Sequence, residues 1–189
     1  MQIEQRYIKL PLEVREEGEG KKMIAGRGVP YGEQSEDMGF TEVIEGGAFD
    51  ESLKTRTVKM LWSHDSAKVL GSTKNQTLRL DVKKDGIYFE NELPDTQDGR
   101  DAKTLIDRGD VDGVSFGFYV TEDLWDDTDK SNIRRTVKRG ELIEISPVAF
   151  PAYSQTQVSL RSLYEQRKKD EPKKDRFESE KLKLMEVEC

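Results

Sequence analysis

The sequence predicts a mainly β protein with a few helices, arranged as a closed or partly closed antiparallel sheet. Many short segments alternate apolar and polar residues with a period of two, which is typical of strands with one buried face. Helices are predicted for residues 48–53 and 98–108. Numerous short strands with few helices between them favour a closed β structure over a parallel sheet covered by helices.

The strands are predicted in order along the chain, bounded by glycine, proline or charged residues. In the first half of the chain they cover residues 7–10, 12–15, 23–29, 40–44, 57–62, 77–82 and 87–93. The dipeptide Asp85-Gly86 predicts a tight hairpin between the last two of these strands. In the second half, the predicted strands cover residues 114–121, 133–137, 141–148 and 155–160.

The connections in the second half differ in composition. The helix predicted at residues 98–108 has apolar residues at spacings of three and four, and it ends at Gly109. Residues 123–132 are acidic and are predicted as a loop. The tripeptide Lys138-Arg139-Gly140 is interpreted as the turn of a hairpin that joins the strands on either side of it.

The length of 189 residues suggests one domain with an extension. We assign residues 1–161 to a β-rich domain and residues 162–189 to a charged tail, because the composition changes after Arg161. Mixed charges and few aliphatic residues in the tail are typical of a solvated helix or a disordered segment. Pro172 would divide any helix that formed there.

The charge and cysteine content argue against several classes of function. A net charge of −7 and a pI of about 5.0 argue against broad binding to nucleic acids or anionic membranes. No apolar stretch approaches the ~20 residues that span a bilayer, and the first residues lack the apolar core of a signal peptide. Because Cys189 is the only cysteine, we expect no intrachain disulfide, no cysteine metal site and a reducing cytosol.

The stretch Gly113-Val114-Ser115-Phe116-Gly117-Phe118 carries the first candidate site residue. A small hydroxyl flanked by glycines on an apolar strand suits the close approach of a ligand or another backbone. The same pattern is typical of a structural serine whose glycines ease a bend in a sheet. A serine hydroxyl becomes an effective nucleophile only when an adjacent base takes its proton.

His64 is the only histidine in the chain, so it is the only candidate for a histidine base. It follows the predicted strand 57–62, and site residues are commonly presented at the ends of strands. A lone histidine is also typical of a structural or surface position, and the local sequence leaves both interpretations open. Asp65 is not expected to orient the imidazole, because adjacent strand residues point to opposite faces.

Glu144 has aliphatic neighbours on both sides in a predicted strand. Strand alternation predicts that Glu144 shares a face with Leu142 and Ser146. Ile143 and Ile145 would then point to the other face. A carboxylate on a covered face needs a partner, and an imidazole is the obvious one because a carboxylate fixes its tautomer. The alternative is a glutamate that faces solvent.

Five motifs along the chain form an ordered set. They are Glu42–Phe49, Ser63-His64-Asp65, Val69-Leu70-Gly71, Gly113–Phe118 and Glu144–Tyr153. In this order and spacing the motifs resemble those of the prohead proteases of tailed bacteriophages, the serine peptidases that mature capsids. Five ordered motifs are more specific than any single one. That family is itself distantly similar to the herpesvirus assembly protease.

The resemblance implies a small antiparallel β-barrel flanked by helices. It also implies a serine endopeptidase in which Ser115 is the nucleophile, His64 the general base and Glu144 the third, acidic member of a triad. An oxyanion hole made of backbone N–H groups is required, and residues 151–156 are its predicted source. Neither a metal ion nor an organic cofactor is implied.

The resemblance further implies that the protein acts inside the assembling prohead, in the host cytoplasm. The substrate would be the scaffold protein or the scaffold-like segment of the major capsid protein, and then the protease itself, with residues 162–189 as a self-cleaved segment. Whether the protein is a monomer or a homodimer stays open. Two alternatives are a non-catalytic capsid assembly factor with the same β-barrel, and an unrelated binding module in which Ser115 and His64 are structural.

Overall fold

Strands make up most of the computed structural model, which describes residues 3–18, 20–129 and 131–150. In chain order the elements are β1 (Glu4–Ile8), β2 (Glu13–Glu17), β3 (Lys21–Pro30), β4 (Thr41–Ile44), α1 (Asp50–Thr55), β5 (Lys59–Trp62), β6 (Asp65–Ser72), β7 (Leu78–Lys83), β8 (Gly86–Glu92), α2 (Gln97–Asp107), β9 (Gly113–Asp126) and β10 (Arg134–Val148). A 3₁₀ turn, Thr73–Asn75, separates β6 from β7. The mainly β class and both predicted helices are confirmed, and each helix lies within two residues of its predicted position.

The strands form two sheets, and β10 lies at the centre of the larger one. The first sheet has the order β1-β9-β10-β5-β6, and β4 pairs with another part of β10. The second sheet has the order β2-β3-β8-β7. Most pairs are antiparallel, but β4 and β5 run parallel to β10. These two pairings depart from the predicted antiparallel arrangement. Parallel neighbours need a long crossover, which the chain between β5 and β10 supplies.

The two sheets share one hydrophobic core. Phe116 and Ile145 from the first sheet belong to the same buried cluster as Ile87 and Phe89 from the second. The sheets approach closely at Gly28, where a Cβ atom would lie 2.7 Å from the Ile145 side chain. Removing a side chain of this size from water contributes about 1.5–3 kcal/mol to stability. The core therefore occupies one face of the first sheet and leaves its other face for the site.

β10 is one continuous strand of 15 residues. The hairpin predicted between residues 133–137 and 141–148 is therefore wrong. The intervening Lys138-Arg139-Gly140 does not reverse the chain. Arg139 and Gly140 stay paired with β9 through shifts of register, as in a β-bulge. Glycine is needed at position 140, because a Cβ atom there would lie 2.8 Å from the ring of Phe49.

β9 is also longer than predicted, because its partner β10 is long enough to pair with it throughout. Residues 123–132 are predicted as a loop, but β9 continues to Asp126. Trp125 lies in this extension and contacts Phe40 edge-on, with ring centroids 4.7 Å apart. β6 was not among the predicted strands, and its pairing with β5 forms the hairpin that carries His64.

Some sequence predictions lie outside the described residues. They are the strand at residues 155–160, the boundary after Arg161, the charged tail at 162–189 and the oxyanion loop at 151–156. Where the structure does describe the chain, no helix has the length and apolar character needed to cross a membrane.

Candidate active site

His64 lies in the turn between β5 and β6. Trp62 pairs with Asp65, so Ser63 and His64 form a two-residue hairpin loop. Both loop residues have positive φ values, 51° and 62°, which match the signs of a type I′ turn. Asn and Gly favour that turn, whereas Ser and His occupy it at a cost of about 1–3 kcal/mol each. Such strain persists only where the surroundings hold the backbone in place.

Two hydrogen bonds to acceptors on β10 hold this turn. The Ser63 N–H donates to the carbonyl of Pro147 at 3.3 Å. The His64 N–H donates to Oγ of Ser146 at 3.2 Å. Because β10 lies next to β5 in the sheet, these contacts place the imidazole beside the strand that contains Glu144.

His64 and Glu144 are in direct contact. The distance between His64 Nδ1 and Glu144 Oε1 is 2.7 Å. The imidazole is 17% exposed, and the carboxylate side chain is 4% exposed. The second carboxylate oxygen, Oε2, accepts a hydrogen bond from Ser146 Oγ at 2.6 Å. Both oxygens of the carboxylate are therefore engaged. The contact with Glu144 uses Nδ1 of His64 and does not involve Nε2.

A β-bulge at Ile143 gives Glu144 its orientation. Leu142 pairs with Phe118 and Glu144 pairs with Gly117, so β10 has one extra residue here. Leu142 and Ile145 both lie in the core although three positions separate them. The prediction that Glu144 shares a face with Leu142 is therefore wrong. The prediction that Glu144 and Ser146 share a face agrees with the hydrogen bond between them.

Gly117 leaves the space that the Glu144 carboxylate occupies. A Cβ atom at Gly117 would lie 2.5 Å from Glu144 Oε1, the oxygen that contacts His64. Strand alternation puts residues 115 and 117 on one face of β9, because Phe116 and Phe118 both lie in the core. The His64–Glu144 contact therefore lies over the same face of β9 that carries Ser115.

Ser115 lies between β1 and β10 and is 3% exposed. It pairs with Ser146 on β10, and paired residues in antiparallel strands have Cα atoms about 4.5–5.5 Å apart. Its hydroxyl donates to the carbonyl of Arg6 at 3.0 Å. Among the described residues, then, the structure brings His64 and Glu144 into contact. Ser115 lies on β9, the strand next to the one that carries Glu144, and its hydroxyl is hydrogen-bonded to β1 rather than to His64.

A cluster of buried charges anchors the strand that accepts the Ser115 hydroxyl. Arg6 donates to both oxygens of Glu42, at 2.6 and 2.8 Å, and to Glu4 at 2.6 Å. Arg135 on β10 donates to Glu4 at 2.6 and 3.0 Å and to Glu42 at 3.0 Å. These contacts join β1, β4 and β10, so the backbone of Arg6 has a defined position beside Ser115.

The charges in this cluster alter the acidity of Glu4. Burial by itself would raise the pKa of Glu4. The hydrogen bond from Arg135 and the charges of Arg6 and Arg135 outweigh burial and hold that pKa below its usual 4.5. The same carboxylates raise the pKa of both guanidinium groups against the opposing effect of burial. Glu4 is therefore an ionised, paired carboxylate at neutral pH.

A cavity of about 460 Å³ opens beside the histidine. His64 and Glu144 line it together with the aliphatic side chains of Ile3, Val69 and Leu61. Ile3 and Val69 are large apolar residues that are 38% and 45% exposed. Apolar walls next to a few polar groups are typical of ligand sites. No group of three or more His, Cys, Asp or Glu residues in the described part of the chain could hold a metal ion.

The sequence alone did not reveal several of these features. Ser146, Gly117 and the Arg6 carbonyl all contact the site, and none was singled out for the role it has. The spacing of two between Glu144 and Ser146 is a usable signal for the first of them, because strand residues two apart share a face. The contact with Arg6 joins residues 109 positions apart and has no signature in either segment.

A histidine–carboxylate pair on the same sheet face as a buried serine is the kind of site that serine hydrolases use. Comparison with known proteins agrees with this class. Residues 10–175 match the family model described as caudovirus prohead serine protease. The chain therefore belongs to that family, and the resemblance drawn from its five motifs is confirmed.

Two of the known proteins that are similar to this chain come from other phages. It is 31% identical over 121 residues to the prohead protease of Enterobacteria phage HK97, in an alignment that covers 62% of this chain. The alignment covers 52% of the HK97 protein, so the chain spans about half the length of that relative. The fold is similar to that of the bacteriophage T4 capsid assembly protease, with a TM-score of 0.56. That comparison covers 79% of this chain and 98% of the other at 12% identity, so it supports the fold alone.

Proposed function

We propose that this protein is a serine endopeptidase of phage prohead maturation that uses Ser115, His64 and Glu144. Its substrates are the scaffold protein, or the scaffold-like segment of the major capsid protein, and the protease itself. The observation that carries the proposal is the 2.7 Å contact between His64 and Glu144, held over the face of β9 that presents Ser115. Membership of the prohead serine protease family supports the same conclusion.

The mechanism is acyl transfer. Ser115 Oγ attacks the scissile carbonyl while His64 Nε2 takes its proton, and Glu144 stabilises the resulting imidazolium through Nδ1. The imidazolium then gives that proton to the leaving amine. Water, activated by the same imidazole, hydrolyses the acyl-enzyme and restores Ser115.

In the proposed mechanism, the hydrogen bond from Ser115 to the carbonyl of Arg6 belongs to the nucleophile before substrate binds. Oγ donates its proton to a backbone carbonyl, so it must give up this hydrogen bond before it can donate that proton to His64. A buried neutral hydrogen bond of this kind contributes about 0.5–1.5 kcal/mol to stability. The free energy needed to break it is small beside the activation barrier of peptide hydrolysis.

The same hydrogen bond favours a second candidate function. A serine that is 3% exposed and hydrogen-bonded to a neighbouring strand is also what a structural serine looks like. In that case the protein is a non-catalytic capsid assembly factor that retains the family fold. Variants of the three candidate residues distinguish the two functions.

The test is co-expression with the capsid precursor. We expect Ser115→Ala and His64→Ala to leave the precursor uncleaved and to arrest particles before expansion. Ser52→Ala is the matched control, because Ser52 is also buried and hydrogen-bonded but belongs to α1. Gel analysis of the assembled particles gives the result. Normal processing by both alanine variants would refute the protease and support the assembly factor.

Glu144→Gln tests the third member of the triad. The amide keeps the shape of the carboxylate but cannot stabilise an imidazolium, so we expect cleavage to slow by about 10²–10⁴-fold without loss of folding. The measurement is the rate of precursor cleavage, with thermal unfolding as the control for structure. A Gln variant as fast as wild type would remove Glu144 from the mechanism.

We further propose that residues 162–189 form a segment that the protease removes from itself inside the prohead of the infected cell. The change of composition after Arg161 supports this. Mass spectrometry of the protein from assembled particles tests it. An intact C-terminal segment beside fully processed capsid protein would contradict self-cleavage.

A further inference from the structure

Ser146 makes the contacts that join the two halves of the His64–Glu144 pair. Its side chain is completely buried. Oγ donates to Glu144 Oε2 at 2.6 Å and accepts the backbone N–H of His64 at 3.2 Å. We propose that Ser146 is a positioning residue that holds the carboxylate and the imidazole in the geometry needed for proton transfer. The proposal rests on the function proposed above, but its structural test does not.

The first contact determines how the carboxylate is oriented. Glu144 Oε1 meets His64, and Oε2 meets Ser146, so the plane of the group is held at both oxygens. The last torsion of a glutamate side chain is broad and has only weak intrinsic preferences. Without the hydroxyl, Oε2 would be a buried charged atom that has lost a hydrogen bond, which is costly in a site that is 4% exposed. The carboxylate would then rotate towards other donors or water.

The second contact determines where the imidazole is presented. His64 and Ser63 both occupy the left-handed region, which favours neither residue. The hydroxyl of Ser146 accepts the N–H of His64 and so opposes relaxation of this turn. One side-chain oxygen thus connects the acid to the backbone of the base, and Ser146 itself lies opposite Ser115 in the strand register.

Ser52 provides a matched comparison for a purely structural role. It is also buried, at 7% exposure. Its hydroxyl donates to the carbonyl of Phe49 at 2.9 Å and accepts the N–H of Leu142 at 3.3 Å. Ser52 and Ser146 therefore each donate one hydrogen bond and accept one backbone N–H, but the partners of Ser52 are backbone groups outside the pair.

The experiment uses the full chain with Ser115→Ala, which prevents self-cleavage. Because His64 is the only histidine, every imidazole signal in the NMR spectrum belongs to it. We expect a downfield Nδ1–H proton signal from the hydrogen bond to Glu144. Adding Ser146→Ala should broaden that signal or shift it upfield, while adding Ser52→Ala should leave it in place. Ser146→Cys keeps a weaker donor and should give an intermediate result, which covers a failure of the alanine variant to fold.

The kinetic test uses the enzyme with Ser115 intact. Misplacement of a catalytic group by about 1 Å can cost about 10²-fold in rate, so we expect Ser146→Ala to lower kcat by about 10–10²-fold with little change in KM. Ser52→Ala should leave kcat unchanged. An unaltered imidazole signal and kcat in Ser146→Ala, or equal losses in Ser52→Ala, would overturn the proposal. If the wild type cleaves nothing, the proposed function fails, and the NMR comparison still decides whether Ser146 holds the pair.

Discussion

At the scale of single residues, the site depends on a missing Cβ atom at Gly117 as much as on the polar side chains of His64 and Glu144. Glu144 can reach His64 only because Gly117 has no Cβ atom in the space that Oε1 occupies. Simple alternation would put Glu144 on the core face together with Leu142. The bulge at Ile143 turns Glu144 to the opposite face. A charged residue in an aliphatic segment therefore becomes a partner for the imidazole.

Gly117→Ala tests this packing. The added methyl group would lie 2.5 Å from Glu144 Oε1, so the carboxylate must move. We expect precursor cleavage to fall by tenfold or more, on the order expected for a displaced catalytic group, and stability to fall by about 1–3 kcal/mol. Gly46→Ala is the control, because a Cβ atom there would meet no heavy atom of the described residues within 4 Å. Full activity in Gly117→Ala would show that the carboxylate tolerates displacement.

At the scale of elements, the β5–β6 hairpin stores backbone strain at the histidine. Ser63→Gly should relieve part of that strain, because glycine adopts positive φ without steric cost. We expect the variant to be more stable by up to about 1 kcal/mol in urea denaturation, measured with Ser115→Ala in the background. Ser66→Gly, in the extended strand β6, should instead lose about 0.5–1 kcal/mol. A loss of stability in Ser63→Gly would contradict the strained turn.

The charged cluster between β1, β4 and β10 has a consequence for pH. Because the pKa of Glu4 is lowered on folding, its contribution to stability is present above its usual 4.5 and is lost as the pH falls through the folded-state pKa. Glu4→Gln should therefore be less stable than wild type at pH 7, by about 3–5 kcal/mol, with the difference narrowing in acid.

Denaturation at pH 7 and at pH 4 or below measures this effect. The control is Glu51→Gln, whose carboxylate forms an exposed pair with Lys54 on α1 and should matter little at either pH. If Glu4→Gln and wild type differ by the same amount at every pH, the ionised form of Glu4 is not what stabilises the cluster.

At the scale of the whole molecule, the first sheet is built from segments that are distant in sequence. β1 pairs with β9, and Glu4 contacts Arg135 across 131 positions. Such pairings must close long loops before they gain contacts, so they slow folding. We expect refolding of the Ser115→Ala chain on the millisecond-to-second scale, observed by the fluorescence of Trp62 and Trp125. Refolding within microseconds would contradict the expectation that these long-range pairings limit the folding rate.

The sequence by itself determined the class, the helices, most strands and the three candidate residues. Periodicity and turn residues are local signals, and the single histidine left one choice of base. Five ordered motifs were enough to predict the family that the comparison confirms.

Only the tertiary structure decided how these residues meet. The continuity of β10, the parallel pairing of β4 and β5 and the bulge at Ile143 depend on neighbouring strands that are remote in sequence. The role of Ser146 depends on the same neighbours, because one hydroxyl reaches a side chain on its own strand and a backbone N–H 82 positions away. Local composition carries no information about the contact with the N–H of His64, since it forms only when β5 and β10 lie side by side.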